Sequence, residues 1–145
     1  KEIFPIDFFN DAPYVGGCIA GKYYCHINSK EDVEPCIFSH FSTDNVKGRP
    51  LIEVFQSPYF KELRKRQPYN KNLLMPCPMI DNPNQIREIV KVTGAKPTHP
   101  SAELMVKDPE FMKKLDNLAS EFEGYAEKEF QDEFNGTGNY EFSKG

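Results

Sequence analysis

The residues best suited to chemistry are the cysteines. Cys18, Cys25 and Cys36 lie close together between Gly16 and Cys36, and Cys77 stands apart within Pro76-Cys77-Pro78. Thiolates are soft ligands, and a metal or cluster site made from them needs two things. The sulfurs must converge on one place, and backbone N–H groups must come close enough to stabilise their negative charge. Gly16, Gly17 and Gly21 bracket Cys18 and leave its backbone open to close approach. Pro76 and Pro78 hold Cys77 on a stiff, extended arm that has little entropy left to lose on ligation. Cys18, Cys36 and Cys77 are therefore the expected ligands.

Alternation places Cys25 on a strand face with Tyr23 and Ile27, where a small buried hydrophobe fits; a ligand role is the alternative. His40 and Asp44 are candidate hydrogen-bonding neighbours or a non-cysteine ligand, and His40, near Phe38 and Phe41, also reads as a packed ring. His26 reads as packed or exposed, and His99 as a loop residue. A three-cysteine site leaves a fourth position for water, substrate, His40, Asp44 or a residue from elsewhere.

The elements that must position these groups are short. Lys22 to Asn28 reads as a strand, Ser29-Lys30-Glu31-Asp32 as a turn and Val33 to Phe38 as a returning strand. Such a hairpin brings Cys18 and Cys36 together at its open end. Pro35 removes a backbone donor beside Cys36, which favours a strand edge or an irregular site.

Cys18, the turn, Asp32-Val33-Glu34-Pro35-Cys36, Phe38-Ser39-His40-Phe41, Asp44-Asn45, Ser57-Pro58, Gln67-Pro68 and Pro76-Cys77-Pro78 resemble a SPASM or Twitch segment. This is the auxiliary iron–sulfur domain that follows the barrel of radical S-adenosylmethionine enzymes. The resemblance covers residues 4 to 104, with one departure: Glu31 stands at a turn position where the family usually has glycine. It implies an iron–sulfur cluster, of [4Fe–4S] type, and a partner in the radical S-adenosylmethionine barrel of the same protein, which would hold the S-adenosylmethionine. It also points to an apolar structural residue at Cys25, and to residues 1–15 as an exit segment from that barrel. Asp7, Asn10 and Asp11 in that segment would face the substrate space or form a solvated turn.

Length and composition bound the rest. The 145 residues suit one domain with a modest core, and a formal charge of −4 argues against nucleic acid as a partner. No apolar run is long enough to cross a membrane, so we expect a cytoplasmic segment of a longer protein with reduced thiols. Residues 50–67 read as one or two helices in which Phe55, Phe60 and Leu63 are buried. Their basic residues Lys61, Arg64, Lys65 and Arg66 form a solvated face or an acidic-partner patch. Asn82-Pro83 starts a helix that Gly94 closes, Ser101 to Val106 forms a helical turn, and Asp108-Pro109 starts the longest helix. Glu2 to Phe9 reads as an edge strand that ends in a turn at Asn10 to Pro13. The fold class is thus α+β: a small β-hairpin carrying the cysteine site, then several helices including a long C-terminal one. We divide it into residues 16–104 for the cluster domain, 105–135 for the C-terminal helix and 136–145 for a mobile tail.

There is no Cys-x3-Cys-x2-Cys motif, P-loop, GxGxxG or ordered Ser/His/Asp set, so these residues hold no complete active site and do not cleave S-adenosylmethionine. The leading reading is an accessory iron–sulfur domain of a radical S-adenosylmethionine oxidoreductase. Its cluster would pass electrons or bind substrate. A second is a structural zinc module in a scaffolding or interaction protein, using three thiolates and His40; the absence of paired Cys-x2–4-Cys knuckles argues against it. A third is a plain globular domain with unrelated buried cysteines.

Overall fold

The computed structural model describes residues 7–134. The expected mobile tail at 136–145 and most of the Glu2 to Phe9 strand lie outside these residues. The described end of that strand is instead a turn, because the Asp7 carboxylate accepts hydrogen bonds from the backbone N–H groups of Phe9 (3.0 Å) and Asn10 (3.1 Å). A single helical turn follows, α1 (Ala12–Val15), started by Pro13 and stopped at Gly16 in the left-handed region.

The hairpin forms, but it is shorter than alternation predicts. β1 (His26–Ile27) pairs antiparallel with β2 (Val33–Glu34), with His26 opposite Glu34. Lys22 and Tyr23 are not strand; their N–H groups turn back onto the Ile19 carbonyl at 3.1 and 3.0 Å. The returning strand stops at Glu34 because Pro35 cannot extend the ladder, and the chain then turns so that Ser39 N–H reaches the Cys36 carbonyl at 3.1 Å. Glu31 has φ +67°, the conformation for which a glycine is suited.

A second pair, β3 (Phe41–Ser42) with β4 (Lys96–Pro97), joins distant parts of the chain antiparallel. α2 (Leu51–Phe55) and α3 (Pro58–Arg66) lie between; Ser57 caps α3 by accepting from Phe60 N–H at 3.4 Å. α4 (Pro83–Thr93) ends as expected at Gly94, whose φ is +69° and whose N–H reaches the Val90 carbonyl. α5 (Pro100–Lys107) and α6 (Pro109–Phe134) complete the α+β architecture.

The core joins all these pieces: Val33, Phe41, Val54, Tyr59, Phe60, Leu63, Ile86 and Ile89 are fully buried. Phe55 is only partly buried against it. Arg87 fastens α4 to the last two helices, with Nη1 2.6 Å from Asp116 and the guanidinium donating to the carbonyls of Met105 and Met112. The apolar stripe of α6 changes duty along its length. Phe111 and Leu115 pack on the core, Leu118, Phe122 and Tyr125 are exposed, and Ala126, Phe130 and Phe134 are buried again at the α1 side, where Phe134 meets Tyr14 edge to face. Among the described residues no helix is long and apolar enough to cross a membrane.

Candidate metal centre

Cys18, Cys36 and Cys77 line one pocket together with Phe8, Tyr24 and Phe38. The Phe8 ring lies 5.6 Å from Tyr24 and 6.4 Å from Phe38, so the three rings form one aromatic cluster along the pocket. All four cysteines are free. Cys25 does not line the pocket; it packs against the hydrophobic core. Among the described residues no three His, Cys, Asp or Glu side chains form a group that could hold a single metal ion.

Each thiol is held on a loop by groups from elsewhere. The Cys18 loop is clamped by the end of α3: Gln67 Nε2 donates to the Ala20 carbonyl at 2.7 Å and Arg64 Nη1 to the Gly21 carbonyl at 3.1 Å. Gly21 N–H in turn reaches the carbonyls of Tyr24 and Pro35, tying the Cys18 loop to the strand end that carries Cys36. A side chain at Gly21 would press to 3.3 Å from Leu63, and its φ of +69° suits glycine, so this junction needs that residue. Cys77 is fixed by more than its prolines. Its N–H donates to Asp81 Oδ2 at 2.8 Å, its carbonyl accepts from the N–H groups of Asp81 and Asn82, and Asn82 Nδ2 donates to the Met75 carbonyl at 2.7 Å. Asn82 therefore braces the cysteine loop and does not cap α4 with its side chain.

The sulfurs differ in what they are offered. Phe38 N–H donates to Cys36 Sγ and Met79 N–H to Cys77 Sγ, both at 3.4 Å, and the Ala20 backbone serves Cys18 in the same way. The donor stands two residues after the cysteine in every case. Burial pushes the Cys18 thiol up to about 11 and Cys77 to about 12, and raises Cys36 as well, with these N–H groups acting in the opposite direction. Cys25 is raised by burial alone, with no opposing donor. Buried thiols of this kind stay protonated at neutral pH until a cation enters and stabilises the thiolates.

The other candidates lie outside this pocket. The His40 ring turns to Glu34 (Nδ1 to Oε2, 3.4 Å) and lies 5.4 Å from the His99 ring. Asp44 pairs with Arg49 at 2.7 Å. His26 bonds Glu34 at 2.9 Å, and His99 accepts from Ser101 N–H at the start of α5. Glu34, almost fully buried, gathers Thr98, His26, Asn28 and His40. Burial alone would raise its pKa, but those hydrogen bonds and the His40 charge outweigh it and hold it below the usual value. Asp7 and Asp11 accept local backbone bonds within their turn, and Asn10 donates to Asp7 at 2.9 Å. On α3, Arg64 is spent on backbone carbonyls while Arg66 and Lys65 pair with Glu62, which supports the solvated-face reading of that basic run. Sequence reasoning missed Asp81, Gln67 and Glu34; the Cys77-to-Asp81 spacing, four residues, was the signal for the first.

Comparison with known proteins gives this pocket its meaning. The family model of SPASM, an iron–sulfur cluster-binding domain, matches residues 18–79, a span that opens on Cys18 and closes two residues after Cys77. Residues 18–79 are thus similar to that cluster-binding domain. The AdoMet-dependent heme synthase of Nitratidesulfovibrio vulgaris is 29% identical over 69 residues, 47% of this chain and 18% of that relative. The match thus spans less than a fifth of the curated relative's length. No solved structure matches. The SPASM resemblance drawn from the residues is borne out over that span. The donor set fits such a cluster: three thiols share one pocket, each with a backbone N–H aimed at its sulfur. Three thiolates on separate irons also sit further apart than ligands around one zinc ion.

Proposed function

We propose that Cys18, Cys36 and Cys77 hold a [4Fe–4S] cluster, with Cys25 as a structural core residue and one iron left without a cysteine from this segment. The observation that carries this reading is the shared pocket in which those three sulfurs, and not Cys25, receive backbone N–H groups. Such a cluster supplies one-electron chemistry and a Lewis-acidic iron. The chain's own part is to fix three sulfurs, offer N–H donors that stabilise their charge, and exclude water with Phe8, Tyr24 and Phe38.

The domain acts as an accessory module of a larger radical S-adenosylmethionine oxidoreductase, whose catalytic barrel is its partner. This rests on the SPASM match and on the much longer heme synthase relative. Its role there is electron transfer to or from the substrate, or substrate binding at the open iron.

Anaerobic reconstitution of the chain with iron and sulfide tests the site. We expect broad visible charge-transfer absorption and about four irons with matching sulfide per chain. Colourless protein that takes up one zinc, or folded protein that takes up no metal, overturns the assignment. Addition of a small thiol or imidazole is expected to change the spectrum of the reconstituted protein if one iron is open, and leaves it unchanged if that iron is already ligated.

A further inference from the structure

A second cavity adjoins the cysteine pocket. It has a volume of about 540 Å³, within the range of small-molecule sites, and lies between the cysteine-bearing loop and the exposed middle of α6. Its apolar wall is made by Leu74, Ile80, Leu118, Phe122 and Tyr125. Phe9 lines both this groove and the cysteine pocket. Among the described residues the charged ones facing it are all acidic, Asp81, Glu129 and Glu133, with no lysine, arginine or histidine. Asp81 is more than nine-tenths buried and spends Oδ2 on the Cys77 N–H. It also lines a smaller polar pocket of about 330 Å³ on its other side, shared with Asn70, Asn82 and Glu123. Asp81 thus stands where an apolar chamber meets a polar one, next to Cys77.

We propose that this groove binds an organic amine or guanidine with an apolar body. The body fills the α6 side, and the cationic group sits at Asp81 with Glu129 and Glu133 at the rim. Charge complementarity selects the cation, because a carboxylate in the same place would face three acidic groups across a partly desolvated site. The inference goes beyond the cluster assignment and does not depend on iron, since every residue it uses is shaped by the chain alone.

The test uses the ¹⁵N-labelled chain, prepared without iron and titrated with 2-phenylethylamine, 2-phenylethanol or 3-phenylpropionate while backbone amide shifts are followed. The amine is expected to shift Ile80, Asp81, Leu118 and Phe122 and to bind about ten-fold more tightly than the carboxylate, as a charge-assisted contact requires. Asp81→Asn, which keeps an acceptor for the Cys77 N–H, is expected to remove that preference. Phe122→Ala, at an exposed position, is expected to weaken all three probes by about ten-fold. Equal binding of amine and carboxylate, unchanged affinities in Phe122→Ala, or no shifts at these residues overturns the proposal. Because visible absorption reports the cluster separately, failure of one reading is distinguishable from failure of the other.

Discussion

From Pro83 onward the chain runs as α4, α5 and α6, and only the link between α4 and α5, which carries β4, pairs its backbone with a distant strand. Between Gly16 and Asp81 the three candidate ligands sit on turns, and side chains bonded to backbone hold two of them: Gln67 to Ala20 and Arg64 to Gly21 from far along the chain, and Asp81 to Cys77 within its own loop. In the helical half a lost side chain costs packing, except at Arg87, which bonds the carbonyls of Met105 and Met112. In the cysteine half it releases a piece of backbone, and with it a sulfur. Regular structure therefore supplies the foundation here, and isolated polar side chains supply the positioning.

The sharpest break of this contrast is serine replacement. Cys18→Ser, Cys36→Ser and Cys77→Ser are each expected to abolish retention of iron and sulfide after desalting, whereas Cys25→Ser retains them; loss in Cys25→Ser alone reverses the ligand assignment. Next in size is Glu34→Ala, which leaves His26, Asn28 and Thr98 without their shared buried acceptor. It is expected to cost about 3–5 kcal/mol in denaturant unfolding. Glu34→Gln keeps the shape and costs less.

The same residue gives a pH signature. Because folding holds the Glu34 pKa below its usual 4.5, the stabilisation is complete above that value and is lost as the pH falls through the lowered folded value. Thermal melts of the wild type are expected to drop more steeply than those of Glu34→Gln below about pH 4.5; parallel curves refute the assignment. Asn82→Ala distinguishes bracing from capping. It is expected to cost about 1–2 kcal/mol and to speed cluster loss to a chelator, while a mere cap would leave the loss rate unchanged. The smallest effect is a gain: Glu31→Gly relieves the left-handed backbone at φ +67° and is expected to stabilise by about 0.5–1 kcal/mol, read from the urea midpoint.

Most of the helices were legible because punctuation marks them. Ser57-Pro58, Asn82-Pro83 with Gly94, and Asp108-Pro109 each begin or end a helix where a proline or glycine dictates. The convergence of Cys18, Cys36 and Cys77 was legible from glycines and prolines that make sense only for a stiff, close-approach site. The pairing of β3 with β4 was not, since two residues on each side carry no periodicity and their partners are far apart in the chain. Nor were Gln67 and Asp81, whose bonding partners are backbone atoms that no side-chain pattern reveals. The strand over Lys22 to Asn28 was overread because alternation continues through Lys22 and Tyr23, while Gly21, in its left-handed conformation, turns the backbone there.

The placement of each N–H donor two positions past its cysteine makes the three hooks self-contained. Stretches between them can lengthen or shorten without altering the electrical surroundings of any sulfur, provided the hooks still meet. Proline at Phe38 or Met79 is the change such a design cannot absorb, because it deletes a donor while leaving every sulfur in the chain.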